Sequence, residues 1–208
     1  MRRPSGIHVV LGCLVAIAAY GAFGVAARAQ APLAIDSARI TVSGTSNIHA
    51  YTASTATVRV TRSQVASALA GPDFWTELLK PSAIEAFEVA IPAAMLTSPK
   101  EGLDKNMHKA LKVQDYADIT FRLLRFDTAN KPDGCARAIG MLRIAGVEKE
   151  VAIDVTTKRQ GSTLSVQGSI DMLMTDYGIK PPTAMLGMLK TDPKVSVTFE
   201  TVLAIPLT

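Results

Sequence analysis

Residues 163–174 read TLSVQGSIDMLM, and the stretch alternates with a period of two. Leu164, Val166, Ile170, Met172 and Met174 fall on one side, with Gly168 between them. Thr163, Ser165, Gln167, Ser169 and Asp171 fall on the other. Successive side chains of a strand point to opposite faces, so this is a strand with one apolar and one wetted face. The pattern recurs on both sides of it. EVAIDV sets Val151, Ile153 and Val155 against Ala152 and Asp154, and KVSVTFE groups Val195, Val197 and Phe199. ITVSG, TATVRV, AFEVAI, DITFRL and RAIGMLRI behave alike. ITFRLLRF changes face between Leu123 and Leu124, which predicts a bulge or sharp bend.

The connections are short. Residues 130–134 (NKPDG), Ala145-Gly146 and Gln160-Gly161 have hairpin-turn chemistry, so sequential strands should run antiparallel. About eight strands at this spacing predict an all-β antiparallel barrel or sandwich with a minor helical part. Neither a repeat nor a linker divides it, and a single domain is expected from Ile35 to Pro206.

Two stretches break the alternation. In TSPKEGLDKNMHKALK, Ser98 can cap a helix, Pro99 suits its first position and Glu101 completes a capping box. Leu103, Met107, Ala110 and Leu111 then share one face, so an amphipathic helix should cover an end or face of the sheet. GPDFWTELLKPS, residues 71–82, gathers Phe74, Trp75, Leu78 and Leu79 between prolines. It is read as a loop helix packed on the surface or as a flap.

Composition excludes several classes. Hydrophobic residues make up 48% and charged residues 19%, which fits a globular chain. The formal net charge of +4 belongs largely to the N-terminus: without Arg2, Arg3 and Arg28 there remain 19 basic and 18 acidic residues. No basic patch points to nucleic acid. Arg2-Arg3, the uncharged run Val9–Ala27 and the Ala27-Arg28-Ala29 pattern predict a secretory signal peptide over residues 1–29. An uncleaved membrane anchor is the other reading of the same run. Export would place the protein in the periplasm. Cys135 is then the lone mature cysteine, so no internal disulfide supports the fold.

No catalytic constellation emerges. His49 and His108 are the mature histidines, and the GTSNI around Ser46 lacks the second glycine of a nucleophile elbow. Asp104 and His108 are spaced to share a helix face, where a local salt bridge or hydrogen bond outweighs a catalytic dyad. Histidines and cysteine are too scattered for a metal site. The methionines are spread along the chain, which favours core or pocket filling over copper. The chain is read as a non-enzyme without a cofactor.

Four blocks in order resemble the YceI-like proteins: VAIPAAMLTS, LDKNMHKALKVQDYADITFRL, AIGMLRIAGVEKEVAIDV and MTDYGIKPPTAMLGMLKTDPKVSVTF. The resemblance implies a single lipocalin-like β-barrel and an exported, non-catalytic protein. It implies an isoprenoid or similar amphipathic lipid inside the barrel, such as an isoprenoid quinone or polyprenyl lipid, and a possible homodimer. One departure leaves the ligand open. Where many members carry an Asp-x-x-His-Ser block, this chain has IDSARITVSGTSNIHAYTA, keeping Asp36 without the His-Ser pair.

On that basis Phe87, Val89, Ile119, Phe121, Val166, Ile170, Met172, Val197 and Phe199 should line the interior. Periodicity alone leaves a second reading open, in which they pack on one another in a solid barrel that serves as a structural or interaction module. Residues 174–199 carry tandem prolines, two glycines and an Asp-Pro step, yet many large apolar residues. Ile179, Met185, Leu186, Met188 and Leu189 are therefore expected to lie across the barrel opening. Leu103, Met107 and Leu111 should help to close it, and Tyr177 and Lys180 could meet a polar head group.

Overall fold

A computed structural model describes residues 33–66, 73–80, 82–128, 134–184 and 188–205. The expected leader, the 130–133 turn, Met185 and Leu186 lie outside these residues.

The chain forms one curled antiparallel sheet. Its strands are β1 (Ala34–Ser46), β2 (Ala50–Thr55), β3 (Arg59–Val65), β4 (Ile84–Pro92), β5 (Asp118–Asp127), β6 (Cys135–Ile144), β7 (Val147–Gln160), β8 (Thr163–Leu173), β9 (Thr183–Ala184) and β10 (Leu189–Ala204). The hydrogen-bonded order is β2-β1-β10-β8-β7-β6-β5-β4-β3, and the two-residue β9 pairs with β10. Nine strands thus form the continuous path, where about eight were expected. The difference lies at the N-terminal end, where β1, β2 and β3 are separate strands. Among the described residues no ladder joins β2 to β3, the two ends of the path. Residues 56–58 connect them in sequence, and Ser54 of β2 instead bridges to Thr97.

Alternation and turns explain most of this path. β6 and β7 meet at a two-residue turn, with Ile144 opposite Val147 and both Ala145 and Gly146 at positive φ. Such turns match the natural twist of the strands. The face change in β5 is a bulge: the pairing with β6 skips between Leu123 and Arg125. Leu123 and Phe126 consequently face inward, and Leu124 is left 42% exposed.

Glycines let aromatic rings lie flat on the inner wall. A Cβ on Gly168 would collide with the ring of Phe199, its direct partner across the β8–β10 ladder. Gly140 lies in the same way beneath Phe121, and Gly44 beneath its partner Tyr51. Ring-over-glycine pairs allow a strand to curve without losing apolar cover.

Two helices border the sheet, and residues of both line its concave side. α1 (Phe74–Leu78) buries Phe74, Trp75 and Leu78 against Leu33, Leu164 and Leu203. Trp75 Nε1 donates to the Ser162 carbonyl in the β7–β8 turn (3.1 Å). The segment is a one-sided helix that buries Phe74, Trp75 and Leu78 while Thr76 and Lys80 stay exposed, so it packs its apolar face inward and plugs this part of the sheet. α2 (Glu101–Ala110) starts later than its sequence suggests. Ser98 Oγ accepts from Lys100 N–H (3.1 Å), so it forms a turn ahead of the helix, and no side chain caps Lys100. Asp104, not Glu101, reaches back to accept the Ser98 N–H (2.8 Å). Glu101 pairs with Lys105 instead (2.9 Å).

Candidate functional site

The concave side of the sheet encloses one elongated cavity of about 830 Å³. Every strand of the path except β3 contributes to its wall, as do α1, α2 and the segment before β10. A volume this large sits near the top of the range for small-molecule sites, about 300–1,000 Å³. A hollow of this size stands where the solid-barrel reading placed packed side chains.

All nine residues assigned to the interior line the cavity. So do Leu103, Met107 and Leu111 of α2, together with Tyr177, Ile179 and Leu189. Tyr177 and Ile179 are buried with Leu142, Ile144 and Ala145, which fixes the 174–179 segment onto the β6–β7 turn. Lys180 and Met188 are not brought into the wall; both are exposed. For Met188 the reason is local. Its carbonyl accepts from Asn47 Nδ2 (2.8 Å), and its side chain points out, 68% exposed.

The two ends of the cavity differ. At the α1 end the wall is mainly Leu33, Leu78, Leu79, Leu164 and Leu203, with Thr157 and Thr201 beside them. At the α2 end the wall includes Ser46, His49, Tyr51, Ser98, Lys100, Asn106, Thr183 and Thr191. Among the described residues no Asp or Glu lines the cavity, and His49 and Lys100 are the basic side chains in its wall. Tyr51 is held above its ordinary pKa, first by burial and then by the nearby Asp192. Burial and then Asp176 do the same to Tyr177. Both phenols therefore stay protonated at neutral pH and can donate. His49, weighed in the sequence only as a catalytic candidate, and Tyr51 and Asn106, unnoticed there, have no sequence signal of their own. They are scattered polar residues that the strand ends and α2 bring together.

The helix pair Asp104 and His108 does not form a unit. Asp104 is drawn to Ser98, and His108 Nε2 lies 2.8 Å from the Leu96 carbonyl oxygen. The side chains turn off the helix toward the backbone before it, because that buried-edge segment leaves polar groups to satisfy. Among the described residues no group of His, Cys, Asp and Glu could hold a metal ion.

The YceI-like domain family model matches residues 33–203. No curated protein matches the chain in sequence. Among solved structures it is similar to a polyisoprenoid-binding domain from Saccharophagus degradans, described as implicated in plant cell wall breakdown, with a TM-score of 0.63 at 13% identity. That match covers 85% of this chain and 100% of the other. It is also similar to BcnA of Burkholderia cenocepacia, with a TM-score of 0.62 at 12% identity over 80% of this chain and 96% of that one. A Campylobacter jejuni YceI protein gives 0.52 at 14% identity, over 73% and 85% of the two chains. At these identities the structural likenesses speak to the fold alone.

Proposed function

The chain belongs to the YceI-like domain family, and from that premise we propose that it is an exported, non-catalytic binding protein for an isoprenoid or similar amphipathic lipid. The observation that carries this reading is the 830 Å³ cavity with its continuous apolar wall. From Leu164 to Met172 that wall follows β8 for about 26 Å at roughly 3.3 Å per residue, which suits a long slim tail. A tail there gains about 0.8 kcal/mol per buried CH₂, so few polar contacts are needed. The polar atoms gather at the α2 end, so the head group lies there. A wall without carboxylates suits a neutral or anionic head, such as a quinone or a polyprenyl phosphate, and disfavours a cationic one.

The nine wall residues contact the tail. Leu103, Met107 and Leu111 of α2 close over it, and Tyr177 and Ile179 flank the head. The polyisoprenoid-binding description of the Saccharophagus relative supports the ligand class. The leader over residues 1–29 supports a periplasmic location. Homodimer formation belongs to the same proposal, and the outer edge of β3, which ends the path of strands among the described residues, is where a second chain would pair. Solvent extraction or native mass spectrometry of the purified protein tests the central claim. A stoichiometric isoprenoid lipid is expected. Protein that carries no lipid from several hosts, and takes up neither an isoprenoid quinone nor a polyprenyl phosphate, would defeat it.

A further inference from the structure

The most exposed large apolar side chains among the described residues are Met188 (68%) and Ile48 (59%). They come from distant parts of the chain, yet Asn47 ties their segments together. Its side chain donates to the Met188 carbonyl (2.8 Å) and accepts from Lys190 N–H (2.8 Å), and its own N–H donates to the Lys190 carbonyl (3.1 Å). The turn at Ile48 is itself tight, with Ser46 Oγ donating to the His49 carbonyl (2.8 Å). Two apolar side chains are thus presented outward from segments tied together by hydrogen bonds.

The position is as informative as the exposure. His49 and Ala50, next to Ile48, and Leu189, next to Met188, line the polar end of the cavity. The apolar pair therefore sits on the rim of the opening. Lys100, Lys180 and Lys190 are exposed around this end and have no ion-pair partner among the described residues. Of the neighbouring acids, Asp192 is engaged with the Lys194 N–H, Asp104 with the Ser98 N–H, and Glu101 with Lys105. Apolar tips beside three exposed lysines that form no ion pair among the described residues match a surface that is greasy within and negative outside.

We infer that this rim docks on an anionic lipid bilayer, inserting Ile48 and Met188 among the acyl chains so that the cavity mouth meets the membrane. The inference rests on the lipid-binding reading above and supplies its missing step, since an apolar tail does not cross water unaided. Lys100, Lys180 and Lys190 draw the rim to the surface, and the buried α1 end faces away.

Sedimentation with vesicles of phosphatidylcholine containing phosphatidylglycerol, beside a separate loading assay with an isoprenoid quinone delivered in detergent, tests it. The wild-type protein should bind the mixed vesicles, bind pure phosphatidylcholine more weakly, and release with added salt. The double variant Ile48→Asp, Met188→Asp should lose about tenfold in vesicle affinity while loading the quinone from detergent as wild type does. Normal loading by the wild-type protein without binding to the mixed vesicles would overturn the docking inference and leave the lipid-binding reading intact. Vesicle binding with no loading would overturn that reading and the exchange role with it. Self-association abolished by the same two substitutions would make the rim an interface between copies and refute membrane docking.

Discussion

The two ends of the cavity are built from opposite materials. At one, Phe74, Trp75 and Leu78 of a five-residue helix are buried against Leu33, Leu164 and Leu203. At the other, polar side chains line the wall, the nearby lysines are exposed, and Ile48 and Met188 project outward. The first end resembles a core and the second a rim. The difference suggests a division of labour in which one end supplies stability and the other exchanges the guest. Substitutions at the α1 end should therefore unfold the protein, and substitutions at the α2 end should alter binding at little cost in stability.

The largest effect is expected at the plug. Trp75 is 2% exposed and its indole satisfies the Ser162 carbonyl. Trp75→Ala should cost about 3–5 kcal/mol, measured by urea denaturation. A loss below about 1 kcal/mol would show that α1 is not part of the stable frame and would erase the contrast between the ends.

A smaller cost is expected midway along the tube, where wall and core meet. Phe121 lies over Gly140 and lines the cavity, but it has free space on its inner side. Phe121→Ala should therefore lose less stability than a packed phenylalanine, below about 3 kcal/mol, with a clear drop in quinone retention. Full core-like destabilisation with unchanged retention would mean that this part of the tube is core. Gly168→Ala probes the same region from the other side. A methyl there meets the Phe199 ring and the Asp154 carbonyl, so a cost of about 1–3 kcal/mol by denaturation is expected.

These sites also mark what the sequence made legible. Period-two alternation gave the faces of β7, β8 and β10, and the break at Leu123-Leu124 gave the bulge, because strand side chains have no other geometry available. The same signal could not separate a hollow interior from a filled one. Alternation says which side chains turn inward, whereas the space between them depends on the curvature of the whole sheet and on rings such as Phe199 lying flat on Gly168. The apolar face of the plug was legible, but its partners Leu33, Leu164 and Leu203 were not, because they come from distant strands. The rim was missed for a different reason. His49, Tyr51 and Asn106 are far apart in sequence and ordinary alone, and only the strand ends and α2 bring them to one opening.

At the rim, the Asn47 clamp should matter more for order than for stability. Asn47→Ala removes its two side-chain bonds in an exposed setting, so the cost should be about 1 kcal/mol. Faster hydrogen exchange at the Lys190 amide, with little change elsewhere, is the expected signature. A change in exchange across the α1 end would contradict the independence of the two ends.

The smallest effect concerns pH. Asp171 and Lys194 join β8 to β10 near the rim through a 2.9 Å ion pair, and both are fully exposed. Hydrogen bonds from Lys194 and then Ser196 hold the Asp171 carboxyl below its ordinary pKa, and the hydrogen bond to Asp171 holds Lys194 above its own. A depressed carboxyl stabilises the fold above its unfolded pKa, about 3.9, and loses that contribution as pH falls through the lower folded value. A raised lysine stabilises below about 10.4 and loses its contribution as pH rises through the higher folded value. The pair is therefore at full strength from roughly pH 4 to 10 and fades only outside that window. Asp171→Asn should slightly lower stability across this window and flatten the acid limb of a melting-temperature profile. Solvent screening keeps such a change small. A large loss at neutral pH would mean that this exposed pair carries structural weight, so that the rim, and not only the α1 plug, holds the sheet together.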